Sequence, residues 1–303
     1  MSLVSFIHLL DVRAKLGPLR PKTSRKVSAP LKVEPRTNHH MLLGTAFDYL
    51  LRFELQRRAP HAVAERWIAE YVPEKIEQGP IIRIVRKEMV MDEGPDSAGL
   101  LEKAAEDARA TIDEAKAAVG AYLKSKAPNH AQQVDLAGYA ISLAKLDAVF
   151  RAWVLDLSFE QAHAADMEDL ADMLSIVPFD QLIHPKLMWL NPNFRETSRL
   201  VDGADTDLIA GDLLVDFKTT KESEIKARDL DQILGYLLLA RKQRQLDPAF
   251  PEINRLGFYF CRHGYLWFVQ ASVWTDRPEF SEIERWFFKR AEEEWPNRER
   301  PLK

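Results

Sequence analysis

Residues 203–221 read GADTDLIAGDLLVDFKTTK, an apolar run carrying four aspartates, with a fifth, Asp202, immediately before it. Strands are poor in aspartate, and a carboxylate beside apolar strand residues costs free energy unless a partner compensates it. The turn signal Ala210-Gly211-Asp212 divides the stretch into an antiparallel hairpin, with one strand expected near 199–209 and another near 213–219. Side chains alternate along a strand. Asp205 and Asp207 therefore share a face of the first strand, and Asp216 and Lys218 share a face of the second. The turn brings the 205–207 end near the 216–218 end, with the register open by a residue or two.

Converging carboxylates repel one another, and such clusters hold a cation or shift their pKa values. Oxygen ligands without cysteine or paired histidine suit Mg2+ or Mn2+ rather than zinc. A lysine two residues beyond such a ligand can orient a water for attack on phosphorus. The bare acid-x-Lys pattern has little specificity, since it occurs at Glu114-Ala115-Lys116, Asp216-Phe217-Lys218 and Glu224-Ile225-Lys226. The first falls in an expected helix, where residues two apart diverge, and the third in a polar loop. The middle one lies on an apolar strand with acids on its partner.

Outward from the hairpin the pattern is mostly helical. In NHHMLLGTAFDYLLRFELQRR, Asn38 is the expected N-cap, and Leu42, Ala46, Tyr49, Leu50 and Phe53 recur at spacings of three and four. Asp48 and Arg52 stand at i,i+4, where an ion pair forms readily, and Glu54 reads as a solvated glutamate. His39 and His40 are adjacent, so their side chains diverge and do not suggest a metal site. Helical periodicity continues over 60–78 to the break at Gly79-Pro80, and 81–91 suits either strand or helix. Residues 97–177 read as an all-helical insert of two to four helices with a packing or lid role.

After the hairpin, 229–246 is an amphipathic helix with Leu230, Ile233, Leu234, Leu237 and Leu238 on its buried side. Gln232 and Tyr236 share one face of it. RLGFYFCR and YLWFVQASVW flank His263-Gly264 as a second hairpin, and EFSEIERWFFKRAEEEW closes the chain as a helix. Strands and helices share one region, so the expected class is α/β or α+β.

The chain has 303 residues, 46% of them hydrophobic, enough for one large core or two modest ones. Its net charge of −4 provides no global field for nucleic acid, so a polyanion must meet a local patch. Such a patch lies at 13–36, where Arg13, Lys15, Arg20, Lys22, Arg25, Lys26, Lys32 and Arg36 oppose Glu34 among several prolines. We expect residues 1–37 to form a flexible or extended basic arm, and 38–303 a single domain. The single cysteine, Cys261, excludes a disulfide framework and a multi-cysteine metal site. With no secretory pattern and no apolar run long enough for a membrane helix, a soluble cytoplasmic protein is expected.

Four segments, in order, resemble the PD-(D/E)XK nuclease superfamily, in particular its RecB-type branch. LLGTAFDYLL resembles the Gly-x-x-x-His motif, with Gly44 followed at +4 by Asp48 in place of histidine. GADTDLI resembles the strand acid before Leu-Ile, giving Asp207 that role with Asp205 in reserve. LLVDFKTTK matches the Asp-x-Lys strand through Asp216, Lys218 and Thr219, and DQILGYLLLA the Gln-x-x-x-Tyr motif through Gln232 and Tyr236. The resemblance covers about 38–57 and 199–240.

It implies a restriction-endonuclease-like core, a small mixed sheet flanked by helices, and metal-dependent hydrolysis of DNA phosphodiesters. Asp207, Asp216 and the Phe217 carbonyl would bind Mg2+ or Mn2+, and Asp48 would join or steady that shell. Lys218 would position the attacking water, while Gln232 and Tyr236 would orient the site or touch the strand. An exonuclease, an endonuclease and a catalytically lapsed nucleic-acid-binding or scaffold module all fit these motifs, in a phage or DNA-repair setting. No Gly-x-x-x-x-Gly-Lys-Ser/Thr motif occurs, so a helicase or recombination partner would be a separate chain.

Overall fold

The computed structural model describes residues 2–21, 29–78, 83–86, 89–91 and 97–295. Two short helices open the chain, α1 (Leu3–Ile7) and α2 (Leu10–Leu16), followed by the long α3 (His40–Arg58). Next come β1 (Val63–Ala64), α4 (Val72–Gln78), β2 (Arg83–Arg86) and β3 (Met89–Met91). The helix-rich part holds α5 (Ser97–Leu123), α6 (His130–Ala152), β4 (Val154–Asp156), α7 (Ala164–Ser175) and α8 (Phe179–Leu182). β5 (Met188–Leu190) precedes the acidic hairpin, which is β6 (Leu208–Ala210) and β7 (Leu213–Lys218). α9 (Ala227–Leu246), β8 (Arg255–Phe260), β9 (Tyr265–Gln270), α10 (Ser272–Thr275) and α11 (Phe280–Glu294) follow.

The fold is mixed α/β. Six strands form one sheet in the order β1-β5-β6-β7-β8-β9, with parallel pairs at β1–β5 and β7–β8 and the others antiparallel. A smaller sheet has the order β3-β2-β4. Alternation along the central strands divides the core into two layers. Leu213 and Val215 of β7 and Tyr259 of β8 join the cluster built by α3, α5, α6 and α7. Leu214, Leu256, Phe258 and Phe260 join the opposite cluster, built by α1, α2, α9 and α11. The acidic hairpin thus lies in the middle of a sheet covered by helices on both faces. Among the described residues no helix is long and apolar enough to cross a membrane.

Several expectations change. Residues 3–19 are not an arm: Leu3, Phe6, Ile7, Val12, Leu16 and Leu19 are each at most 1% exposed in the second core cluster. Arg20 is tied bidentately to buried Asp231 of α9, with both contacts at 2.7 Å. Basic charge and proline mask a short apolar periodicity in this segment, and burial of that periodicity prevails. Lys22, Arg25 and Lys26 of the expected patch, and the Gly79-Pro80 break, lie outside the described residues.

Region 97–177 is not all helical, because β4 pairs in parallel with β2. The first hairpin strand begins at Leu208 rather than near 199, and Arg195–Val201 is instead a 3-10 helix. α3 starts one residue later than an Asn38 cap would place it, with His39 at its N-cap. There His39 Nδ1 lies 2.7 Å from Asp166 of α7, which also accepts a hydrogen bond from the Thr37 hydroxyl at 2.5 Å.

Candidate active site

The turn between β6 and β7 is two residues, Gly211-Asp212, with Gly211 at φ +63. A Cβ there would meet the His184 ring at 2.7 Å, so glycine is required both by conformation and by space. This turn sets the register Leu208↔Val215, Ile209↔Leu214 and Ala210↔Leu213. Continued by one step, it places Asp207 opposite Asp216. The backbone amide of Phe217 donates to Asp207 Oδ2, locking the acid against the end of β7. Asp207's own carbonyl accepts from the Asn191 amide at 2.9 Å.

Asp48 reaches the same place from α3. Gly44, one turn earlier, allows the approach: a Cβ on it would stand 3.1 Å from Thr219 Oγ1, just past the end of β7. Arg52 donates to Asp48 Oδ2 at 2.7 Å, as their i,i+4 spacing foretells. Asp48 Oδ1 is buried without a hydrogen-bond partner. Burial raises the Asp48 pKa despite the adjacent Arg52 guanidinium.

On the α9 side, Lys218 Nζ lies 2.7 Å from Asp216 Oδ2 and 3.4 Å from Asp229 Oδ1. The Asp216 contact is a close ion pair that answers one oxygen of that carboxylate with the ammonium charge. Gln232 joins the parts, donating to Asp216 Oδ1 at 3.1 Å and to the Tyr236 hydroxyl at 2.8 Å, and accepting from Lys218 at 3.3 Å. The Tyr236 ring is stacked on Phe194 at 5.4 Å, which fixes the end of this chain of contacts.

The electrostatics follow from crowding acids in a shielded place. Burial, then Asp216 and Asp48, push the Asp207 carboxyl well above the usual carboxylate range. Burial raises Asp216 as well, against the pull of Lys218. Burial by itself would lower Lys218, but Asp216 and Asp229 outweigh it, so the ammonium pKa is raised. Burial, reinforced by Asp216, also holds the Tyr236 phenol well above its ordinary value, so that it remains protonated.

All eight residues singled out from the sequence border one cavity of about 290 Å³: Asp48, Asp205, Asp207, Asp216, Phe217, Lys218, Gln232 and Tyr236. Asp205 sits apart from its expected strand, bridged to Asn193, with its side chain 41% exposed. Glu54 is corrected: it is fully buried and held by Arg57, Arg58 and Tyr122, not solvated. Sequence reading missed Arg151, which enters the cavity wall from α6, and Asp229, the second acid on Lys218. Asp229 had a signal, since it caps α9 by accepting from the Lys226 amide at 2.8 Å. Arg151 had none. Ser2, Leu3 and Val4 form another part of the wall.

No protein-family model, curated protein or solved structure matches this chain. The site is therefore argued from its own chemistry. Among the described residues no three His, Cys, Asp or Glu side chains stand ready as a metal shell. Arg52 and the Phe217 amide each engage one oxygen, and Lys218 stands against another. Even so, the donors fit a hard divalent cation. Four carboxylates, those of Asp48, Asp205, Asp207 and Asp216, face one cavity, and Asp48 Oδ1 is buried without a hydrogen bond. Burial, reinforced at Asp207 by the neighbouring acids, pushes Asp48, Asp207 and Asp216 toward their neutral forms.

Proposed function

We propose that this protein is a metal-dependent nuclease of the PD-(D/E)XK type, hydrolysing phosphodiester bonds in DNA. The observation that carries the reading is the meeting of Asp48, Asp207, Asp216 and Lys218 on one cavity, from three separate stretches of chain. The central place of the acidic hairpin in a helix-covered mixed sheet is compatible with a restriction-endonuclease-like core.

Asp207, Asp216 and the Phe217 carbonyl, completed by Asp48, would hold Mg2+ or Mn2+, which supplies charge stabilisation at the phosphoryl oxygens. Lys218 remains an ammonium at neutral pH and can donate to the attacking water. Asp216 keeps that ammonium aimed along β7. Gln232 acts as a positioning residue, fixing Asp216 and Lys218 relative to Tyr236. A helicase or recombination partner, where one exists, would be a separate chain.

A second reading, a DNA-binding or scaffold module whose catalysis has lapsed, is favoured by one observation: Arg52 occupies Asp48 where the motif has histidine. Labelled single- and double-stranded DNA incubated with Mg2+ or Mn2+ separates the two. The nuclease reading expects cleavage that falls at least ~100-fold in Lys218→Ala and Asp216→Ala, the scale of losing one preorganised charge contact. Binding without cleavage in either metal would overturn it in favour of the lapsed module.

A further inference from the structure

Beside the cavity, the end of α6 presents a group of aromatic and basic side chains that the proposed chemistry does not use. Arg151 lines the cavity, with its side chain 50% exposed and its Nη2 3.8 Å from Asp205 Oδ2. Its chain neighbour Phe150 is 40% exposed, and its ring lies 6.4 Å from that of Tyr71, itself 38% exposed. Lys75 Nζ stands 4.1 Å from the Phe150 ring and 3.7 Å from the ring of Trp153. Arg66 covers the Tyr71 ring at 4.1 Å.

Two touching aromatic rings that stay more than a third exposed are poorly explained by packing alone. Cations held over the rings put positive charge where a phosphate backbone would run, and the ring faces suit unstacked bases. Bases in a duplex are stacked on each other and do not offer their faces, whereas those of a single strand do. Exposed aromatics elsewhere, such as Phe268 of β9, adjoin no cavity residue in sequence.

We infer that Tyr71, Phe150 and Trp153, with Lys75 and Arg66, form a track that feeds single-stranded DNA to the cavity at Arg151. This deepens the nuclease reading and rests on it, for it names the strand form the site would take. The bases would stack on the rings, and Arg151, its Nε kept on Asp147 at 3.3 Å, would turn its Nη2 from Asp205 to the first phosphate inside the cavity. The helix-rich region then has a role in binding as well as in packing.

The test is fluorescence anisotropy with a labelled single strand and its duplex, with Ca2+ replacing the catalytic metal, on Tyr71→Leu, Phe150→Leu and Arg151→Gln. Leucine keeps apolar packing and removes the aromatic face, and thermal melting confirms the fold of each variant. We expect each leucine variant to bind the single strand about 5- to 150-fold more weakly, the range for losing one stacked base. Its salt dependence should be unchanged. Arg151→Gln should lower the slope of log K against log salt by about 0.7, one phosphate contact on a single strand. Phe268→Leu should bind like wild type.

If wild type cuts DNA and folded leucine variants bind the single strand as wild type does, the track is refuted and the nuclease reading stands. Wild type that neither cuts nor binds DNA refutes both. Equal losses on single strand and duplex would also overturn the track.

Discussion

Arg262 is 1% exposed, and its guanidinium grips Asp169 of α7, which is fully buried, through two bonds of 2.7 and 2.8 Å. Its Nε also donates to the Thr219 carbonyl at 3.0 Å, one residue past Lys218. The bracket therefore joins the β8–β9 turn, α7 and the end of β7. Replacing Arg262 by Met would leave buried Asp169 without its bidentate partner, facing among the described residues the Arg36 amide at 3.4 Å and the more remote charge of the Arg36 guanidinium. Breaking one side of a buried pair costs about 3–5 kcal/mol, and the Thr219 carbonyl loses a donor worth ~1 kcal/mol more. Melting should fall by about 6–15 °C, with little effect of salt, since a buried pair is weakly screened. The double variant Arg262→Met/Asp169→Leu removes both charges, so urea unfolding should show it more stable than Arg262→Met alone. A loss below ~1 kcal/mol in the single variant, or a double variant as unstable as the sum of its parts, would refute this account.

Three further outcomes are expected. Mg2+ should raise the melting temperature of wild type, by a free energy of about 2.7 kcal/mol at a hundredfold excess over Kd; a similar rise in Asp207→Asn would remove that residue from the metal set. His263 is 1% exposed, its Nδ1 lacks a hydrogen bond, and burial lowers its pKa below the ordinary value. Between the lowered and the ordinary value the unfolded chain binds the extra proton, so its stability contribution is intact above pH ~6.5 and declines as pH falls, by at most ~1.4 kcal/mol per pH unit. Urea unfolding at several pH values should show this slope flattened in His263→Leu, and an unchanged slope would clear His263 of it. Gly257→Ala would bring a Cβ to 2.4 Å from the Trp267 carbonyl and 2.9 Å from Phe268 Cβ, between paired strands. A loss of about 1–3 kcal/mol is expected on thermal melting, and a neutral result would mean that β8 and β9 can separate there.

The hairpin was legible because two local signals agreed: a Gly-Asp turn and alternation of apolar and acidic residues around it. Gln232 and Tyr236 were legible because a helix repeats its face every three to four residues, whatever lies opposite. Three things were hidden. α1 and α2 carry their apolar residues in runs too short to outweigh the surrounding basic and proline-rich composition. β1 and β4 have two and three residues, too few to show a period, and exist through partners far along the chain. Arg151 reaches its cavity only because α6 packs on α3, where the Tyr49 hydroxyl donates to Asp147 at 2.8 Å. Such a meeting is a property of tertiary packing, and no spacing within either helix announces it.

The leading segment has a practical consequence for every assay named above. Leu3 is anchored by its amide to the Gly203 carbonyl at 2.9 Å, and Ser2 stands at the cavity wall beside it. A purification tag or fluorescent protein joined ahead of Ser2 would begin its path at the mouth of this cavity, where the proposed reading has a DNA strand enter. Such a fusion could weaken binding or slow turnover with every native side chain in place, and the loss would resemble an inactive enzyme. A reporter attached at Lys103 of α5, whose side chain is 71% exposed, is joined to a residue outside the cavity wall.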